Sequence, residues 1–265
     1  MTAPPLSLLE LALAAALIAI SAGLSLWLSL GLAAQLVVAA TRAAAQLVLV
    51  GLFLRALFSS SSPVPTLAVI AVMFVAAALE VGARQERKLR GAWQYLGGGS
   101  VVAVATLGVA VLALSTALRP DPWYAPRHTI LLVGFILGTT MNAASLALNA
   151  FFSSVARERA AIEARLALGA ERYEAFHDLV RRAVRAGAIP ILNQMAAAGV
   201  ITLPGIMTGQ VLAGVDPVAA AKMQLLLLFL LGGGGFLAAL GAAYVAVGRV
   251  TDARVRLRLD RLRPP

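Results

Sequence analysis

Seven long apolar stretches dominate the chain, and few folds can absorb them. They run over 6–28, 33–57, 64–83, 98–118, 129–151, 187–213 and 221–247. A helix rising 1.5 Å per residue crosses a ~30 Å hydrocarbon layer in about twenty residues, so each stretch is long enough to span a bilayer. Composition agrees: 60% of the 265 residues are hydrophobic and 13% charged, against roughly 25% charged in a soluble domain. The pattern predicts an all-α, polytopic transmembrane helix bundle of about seven spans, a single membrane domain over 1–265.

The breaks between spans are short, with one exception. Ser59 to Pro65 reads as a turn, Arg84 to Arg90 as a charged loop, and Arg119 to Pro126 as a Pro-rich loop whose Trp123 and Tyr124 suit the membrane–water interface. Gly214 to Pro217 is another turn, 153–186 is the long polar segment, and 249–265 is a basic tail. No basic residue precedes Leu6, so the first apolar run reads as a retained helix rather than a cleaved signal.

Arginines and lysines sort between the two sides. With seven alternating crossings, 17 fall on one side and 4 on the other, while Arg42 lies inside the second span. Basic loops stay cytoplasmic. The expected topology is therefore N-terminus outside and C-terminus cytoplasmic, in a bacterial inner membrane.

The net charge of +10 belongs to these loops, which argues against a nucleic-acid partner and for the lipid bilayer. There are no cysteines, and His128 and His177 are the only histidines. A thiolate site, a His-rich metal site or a Ser-His-Asp triad has almost nothing to be built from. Catalysis in this chain is not expected. No G-x-x-x-x-G-K-[ST] loop is present to cradle ATP phosphates.

Within the long polar segment, Ile162, Leu166, Ala170, Tyr173, Phe176, Val180 and Val184 recur at spacings of three and four. That is one face of a helix, interrupted at Gly169. Amphipathicity alone fits a helix lying flat on the membrane surface. The run Glu163-Ala164-Arg165-Leu166-Ala167-Leu168-Gly169-Ala170 also resembles the cytoplasmic "EAA" loop of ABC permeases, with Gly six positions after Glu. It departs from the importer form: Arg181 and Arg182 stand about where a Pro is usual, and the first Pro is Pro190.

Two polar patches interrupt the spans. One holds Thr139, Thr140, Met141 and Asn142. The other holds Asn193, Gln194 and Met195, followed by Pro204, Gly205, Met207, Thr208 and Gln210. Pro204-Gly205 frees backbone groups and breaks a helix, and such breaks persist where they face protein or a cavity. The polar side chains are costly in lipid and should face the bundle interior, as interhelical hydrogen bonds or as a transport path. Methionine sulfur suits soft metals, although methionine is also ordinary membrane filler. Arg42 and Gln46 lie one turn apart on the second span, and an intramembrane arginine calls for a partner; Glu80 is the candidate.

The Leu203-Pro204-Gly205…Met207-Thr208-Gly209-Gln210…Leu212-Ala213-Gly214 run, the 163–170 loop and the 138–149 stretch together resemble the bacterial iron-export ABC permease family, which also includes the plant aluminium-tolerance membrane subunits. The resemblance covers essentially the whole chain. It implies a permease that exports a metal ion, iron first, and docks an ATPase subunit through a coupling helix at Glu163, Ala164, Leu166, Gly169 and Ala170. It further implies a second copy of the chain, with ATP and Mg bound on the partner and none here. The path would be lined by Thr139, Met141, Asn142, Asn193, Met195, Pro204, Gly205, Met207, Thr208 and Gln210. The residues alone also fit an ATP-independent secondary transporter or channel.

Overall fold

The computed structural model describes residues 7–57 and 62–263. Part of the turn expected at Ser59–Pro65 therefore lies outside the described residues; its last residues open a helix capped by the Ser62 hydroxyl, which accepts the Val64 N–H. The described residues are helical throughout their membrane part and divide into two compact units, 1–61 and 62–265.

The first unit is a helical hairpin of α1 (Leu8–Trp27) and α2 (Ala33–Leu57). A reciprocal Ser7/Glu10 capping box starts α1, satisfying N–H groups that a helix end leaves free. The buried Ser25 hydroxyl accepts the Leu32 N–H at 3.0 Å and closes the turn.

The second unit contains α3 (Pro63–Ala83), α4 (Trp93–Ala113) with a π turn at Leu114–Leu118, α5 (Pro126–Arg157), α6 (Arg159–Ala167), α7 (Arg172–Ala175), α8 (His177–Ala197), α9 (Gly205–Leu212) and α10 (Pro217–Val250). At 32 and 34 residues, α5 and α10 are far longer than a ~30 Å crossing requires. They form the centre, and α3, α4 and α8 pack around them.

Packing changes character along the bundle. Midway, the contacts are made by small residues: Ala143, Ala147 and Ala239 are buried together, and Gly187 sits against all three. Lipid gives helices no hydrophobic reason to associate, so close van der Waals approach must do it. At one end the contacts become large. Phe151, Phe152, Ile162, Phe176 and Leu179 are almost fully buried, with Phe151 stacked 6.0 Å from Phe176. The basic loops of this end suit water, where burial of apolar area is worth about 25 cal/mol per Å².

That same end gathers all three basic regions. The Arg90 N–H donates to Arg261 O at 2.9 Å, and the Arg263 N–H to Lys88 O at 2.8 Å. The Arg172 guanidinium donates to Asp252 O at 2.6 Å. The 84–92 loop, the 158–176 segment and the tail thus interlock, as the arginine distribution predicts.

The span count needs one correction. Among the described residues six helices are long and apolar enough to cross a membrane, not seven. The expected span over 187–213 is two helices separated by a turn at 198–204, and α8 begins at His177, well inside the polar segment. Together α8 and α9 still lead from the basic end to the opposite one. Met195 of α8 and Ile206 of α9 pack in one cluster with Leu227 and Leu231 of α10, and α10 then returns to Asp252.

Candidate functional site

Two places in the second unit carry the features from which a function can be built: a knuckle at the basic end and the interrupted leg beside α10.

The knuckle starts where Glu158 ends α5 and opens α6. Its carboxylate accepts two bonds from Arg182 of α8, at 2.6 and 2.8 Å. Arg159 pairs with Glu163 one turn on, at 2.8 Å. At the other end of α6, Gly169 takes φ +91°, a left-handed conformation that a side chain resists. Its N–H donates to Leu166 O and the Ala170 N–H to Arg165 O, both at 3.1 Å. This double bond is the Schellman closure of a helix end, and it explains why a glycine must stand six residues after Glu163. A Glu171/Glu174 capping box then opens α7, and Arg165 reaches across to Asp178 at 3.2 Å. The knuckle is rigid by hydrogen bonding.

Its apolar face is turned inward. Ile162, Phe176, Val180 and Val184 are buried, and Leu166 and Ala170 pack against the same core. Tyr173, half exposed, rests its ring 5.4 Å from Tyr244. The periodic face therefore packs on its own bundle, and a helix floating on lipid by that face does not describe it. What remains open is the tip. Leu168 is 89% exposed, and Glu163, Ala164 and Gly169 are exposed beside it. Leu168 was not among the expected docking residues, though its place immediately before the helix-ending glycine is a readable signal.

A cleft of about 720 Å³ opens next to the tip, between α6 and the tail residues Arg254 to Leu257. The tail is a small built structure. Asp252 accepts the N–H groups of Arg254 and Arg256 and the Arg256 side chain, each at 2.9 Å. These bonds, the Arg256 backbone N–H foremost, hold its carboxyl below the ordinary range. The Arg258 side chain lowers Asp260 to about 2 in the same way. Nothing in the sequence marked the tail as more than basic.

In the interrupted leg, Pro190 stays inside α8. The chain breaks instead at Ala198, with Gly199 at φ +83°, and Pro204 opens α9. The turn is held by the Gly199 N–H to Thr202 O at 2.9 Å and the Ile201 N–H to Ala197 O at 3.0 Å. Val200 and Ile201, 90% and 80% exposed, form its tip.

The expected path residues divide. Thr139 and Met195 flank one glycine run of α10: a Cβ at Gly235 would meet the Thr139 methyl at 3.4 Å, and one at Gly232 the Met195 sulfur at 3.2 Å. Thr139 donates to Phe135 O at 3.2 Å. The buried Thr140 bonds to Leu137 O and lies 2.8 Å from the Thr106 hydroxyl of α4. A hydroxyl has one proton, so Thr106, invisible as a partner in the sequence, supplies the second bond. Met141 packs against the core at the basic end. Asn142 turns elsewhere, accepting from Arg84 at 2.7 Å, and Arg84 also pairs with Glu80 at 3.2 Å. Asn193 is exposed on α8. Gly205, Met207, Thr208 and Gln210 sit on α9, where Thr208 donates to Pro204 O. The buried amide oxygens of Gln210 and of Gln224 on α10 have no hydrogen-bond donor.

Arg42 and Gln46 are exposed on α2 of the first unit, whereas Glu80 belongs to the second. Among the described residues no three His, Cys, Asp or Glu side chains cluster to hold a metal. The donors on this leg are amides, hydroxyls and thioethers.

Residues 8–250 match the "Uncharacterised protein family (UPF0014)". The chain is 40% identical over 202 residues to the UPF0014 membrane protein slr1647 of Synechocystis sp., covering 75% of this chain and 76% of that protein. It is 30% identical over 255 residues to the "Probable iron export permease protein FetB" of Escherichia coli, covering 96% of each. Protein ALUMINUM SENSITIVE 3 of Arabidopsis thaliana is 26% identical over 197 residues, which cover 74% of this chain and 70% of that one. No solved structure matches the chain at a significant level. A multi-pass helical bundle whose sequence matches over nearly its full length, this chain belongs to the UPF0014 family of membrane proteins.

Proposed function

We propose that this chain is the permease subunit of an ATP-driven exporter, paired with a second copy and driven by a separate ATPase that binds ATP and Mg. The observation that carries the reading is the knuckle. Its apolar face is covered by its own bundle, yet a leucine on a glycine turn stands exposed at the end where the basic loops converge. An exposed large apolar residue on a rigid tip is what a partner's cleft takes up.

The connections suit force transmission. The knuckle joins α5 directly to α8, and Arg172 ties it to the end of α10. A rigid-body shift at the tip would move α5, α8 and α10 together. The interrupted leg then gives at 198–204, the point with the fewest helical bonds. The positive-inside rule supports a basic end that lies, with the C-terminus, in the cytoplasm of a bacterial inner membrane, and an N-terminus outside.

For the cargo, the relative named for iron export favours a metal ion, iron first. The midplane residues flanking the α10 glycine run and the unpartnered amide oxygens of Gln210 and Gln224 would line its way.

The test is reconstitution. The chain, purified with its ATPase and placed in vesicles, should move ferrous iron only when ATP and Mg are supplied. Equal movement without ATP, driven by an ion gradient, would make the chain a secondary transporter or channel instead.

A further inference from the structure

A groove of about 740 Å³ runs between α8 and α10; its deep end shares Met195 and Gly232 with the proposed path, and the rest of it the functional proposal leaves unassigned. Val184, Ile191, Phe236 and Leu240 wall it, and Gly232 and Gly233 line α10 beside them. Its lining is apolar except at one end. There His177, Arg181 and Arg185 follow one another at intervals of four, on one face of α8.

Arg181 and Arg185 make no hydrogen bond or ion pair among the described residues, whereas their neighbour Arg182 is held by Glu158. Two guanidiniums left free at the mouth of an apolar slot call for an anion attached to something apolar. The depth fits. From Arg185 to Met195 α8 rises about 15 Å, half of a ~30 Å hydrocarbon core and so one leaflet.

We infer that this groove binds an anionic phospholipid, its phosphate on Arg181 and Arg185 and one acyl chain along α8 and α10. Basic pockets between membrane helices take such headgroups. A second copy of this chain is the rival occupant, and charge disfavours it. Of the 12 acidic side chains, only Glu86 and Asp121 are not already engaged in ion pairs or helix caps of their own chain. A partner copy therefore has few carboxylates to offer the two arginines. A free phosphate would satisfy the charge and leave the apolar slot empty.

Native mass spectrometry of the full chain in mild detergent reads the lipids retained and the oligomeric state together. Offered equal phosphatidylglycerol and phosphatidylcholine of matched chains, the protein should retain the anionic lipid about tenfold more. Arg181→Gln with Arg185→Gln should erase that preference. Gly233→Leu should reduce retention of both lipids, because a Cβ at Gly233 meets nothing within 4 Å and the longer side chain fills the slot without straining the helix. Equal retention of the two lipids by the unaltered protein, or unchanged retention in both variants, overturns the inference. So does a Gly233→Leu protein that loses its partner copy while keeping the lipid. Displacement of the lipid by millimolar inorganic phosphate would reduce the site to one for a free anion and overturn it too.

Discussion

Leu168→Asp is expected to abolish ATP-driven transport while leaving the membrane bundle intact. Leu168 ends α6 with 89% of its surface open, so its own fold loses almost nothing when it is changed. Seated in a partner's cleft, the same side chain is an anchor, and truncating such an anchor costs about 2–4 kcal/mol, roughly 30- to 1,000-fold in affinity. Aspartate adds a buried, unpaired charge to that loss. Leu168→Met should retain most of the coupling, since the swap conserves volume and apolarity. A thermal midpoint equal to that of the unaltered protein, with the ATPase no longer co-purifying, provides the internal check. Full transport by the aspartate variant would remove the tip from the docking surface.

The second large effect is opposite in kind. Gly187→Val should break the bundle before any question of transport arises. A Cβ at Gly187 would lie 2.5 Å from Ala143 O, 2.9 Å from Ala239 Cβ and 3.2 Å from Ala147 Cβ. The nearest atom belongs to the backbone of α5, which has no rotamer to change, so α8 itself must move away. Overpacking of this kind costs about 3 kcal/mol, and the helices have little else holding them at that depth. The purified protein should unfold at a temperature several degrees lower. Gly138→Ala, at a site where a Cβ meets nothing within 4 Å, should leave the midpoint where it is. Equal midpoints for the two variants would show that α8 does not rest on α5 as closely as described.

These two sites differ in how far the sequence announced them. The knuckle was largely legible: the spacing from Ile162 to Val184 gave its buried face, and Gly169 gave its turn. The resemblance built on the Leu203–Gly214 run and the 163–170 loop also holds, since the family match extends over residues 8–250. Gly187 was not legible as a contact, because a glycine in an apolar run looks the same whether it faces lipid or a carbonyl.

The span over 187–213 was misread for a related reason. Composition turns apolar at about Gly187, but the helix does not begin there. It begins at His177, since the arginines of its first turns sit in water at the basic end, where Arg182 finds Glu158. Composition records the solvent, and helix boundaries record the hydrogen bonds. The same difference explains why α5 and α10 outrun the apolar stretches that predicted them: α5 runs on to Arg157 at the basic end, and α10 extends past its stretch by a few residues at each end. The tail was read only as charge. Its shape depends on Arg90 meeting Arg261 and Arg172 meeting Asp252 across the fold, which no local pattern encodes.

Photo-crosslinking from position 168 in native membranes tests the central claim most directly. A photoreactive residue there should capture one discrete product, a nucleotide-hydrolysing subunit, and the same residue placed at Trp123 on the opposite end should not. Capture of lipid alone at 168, with no such subunit bound, would contradict the reading of this tip as the point where force enters the permease.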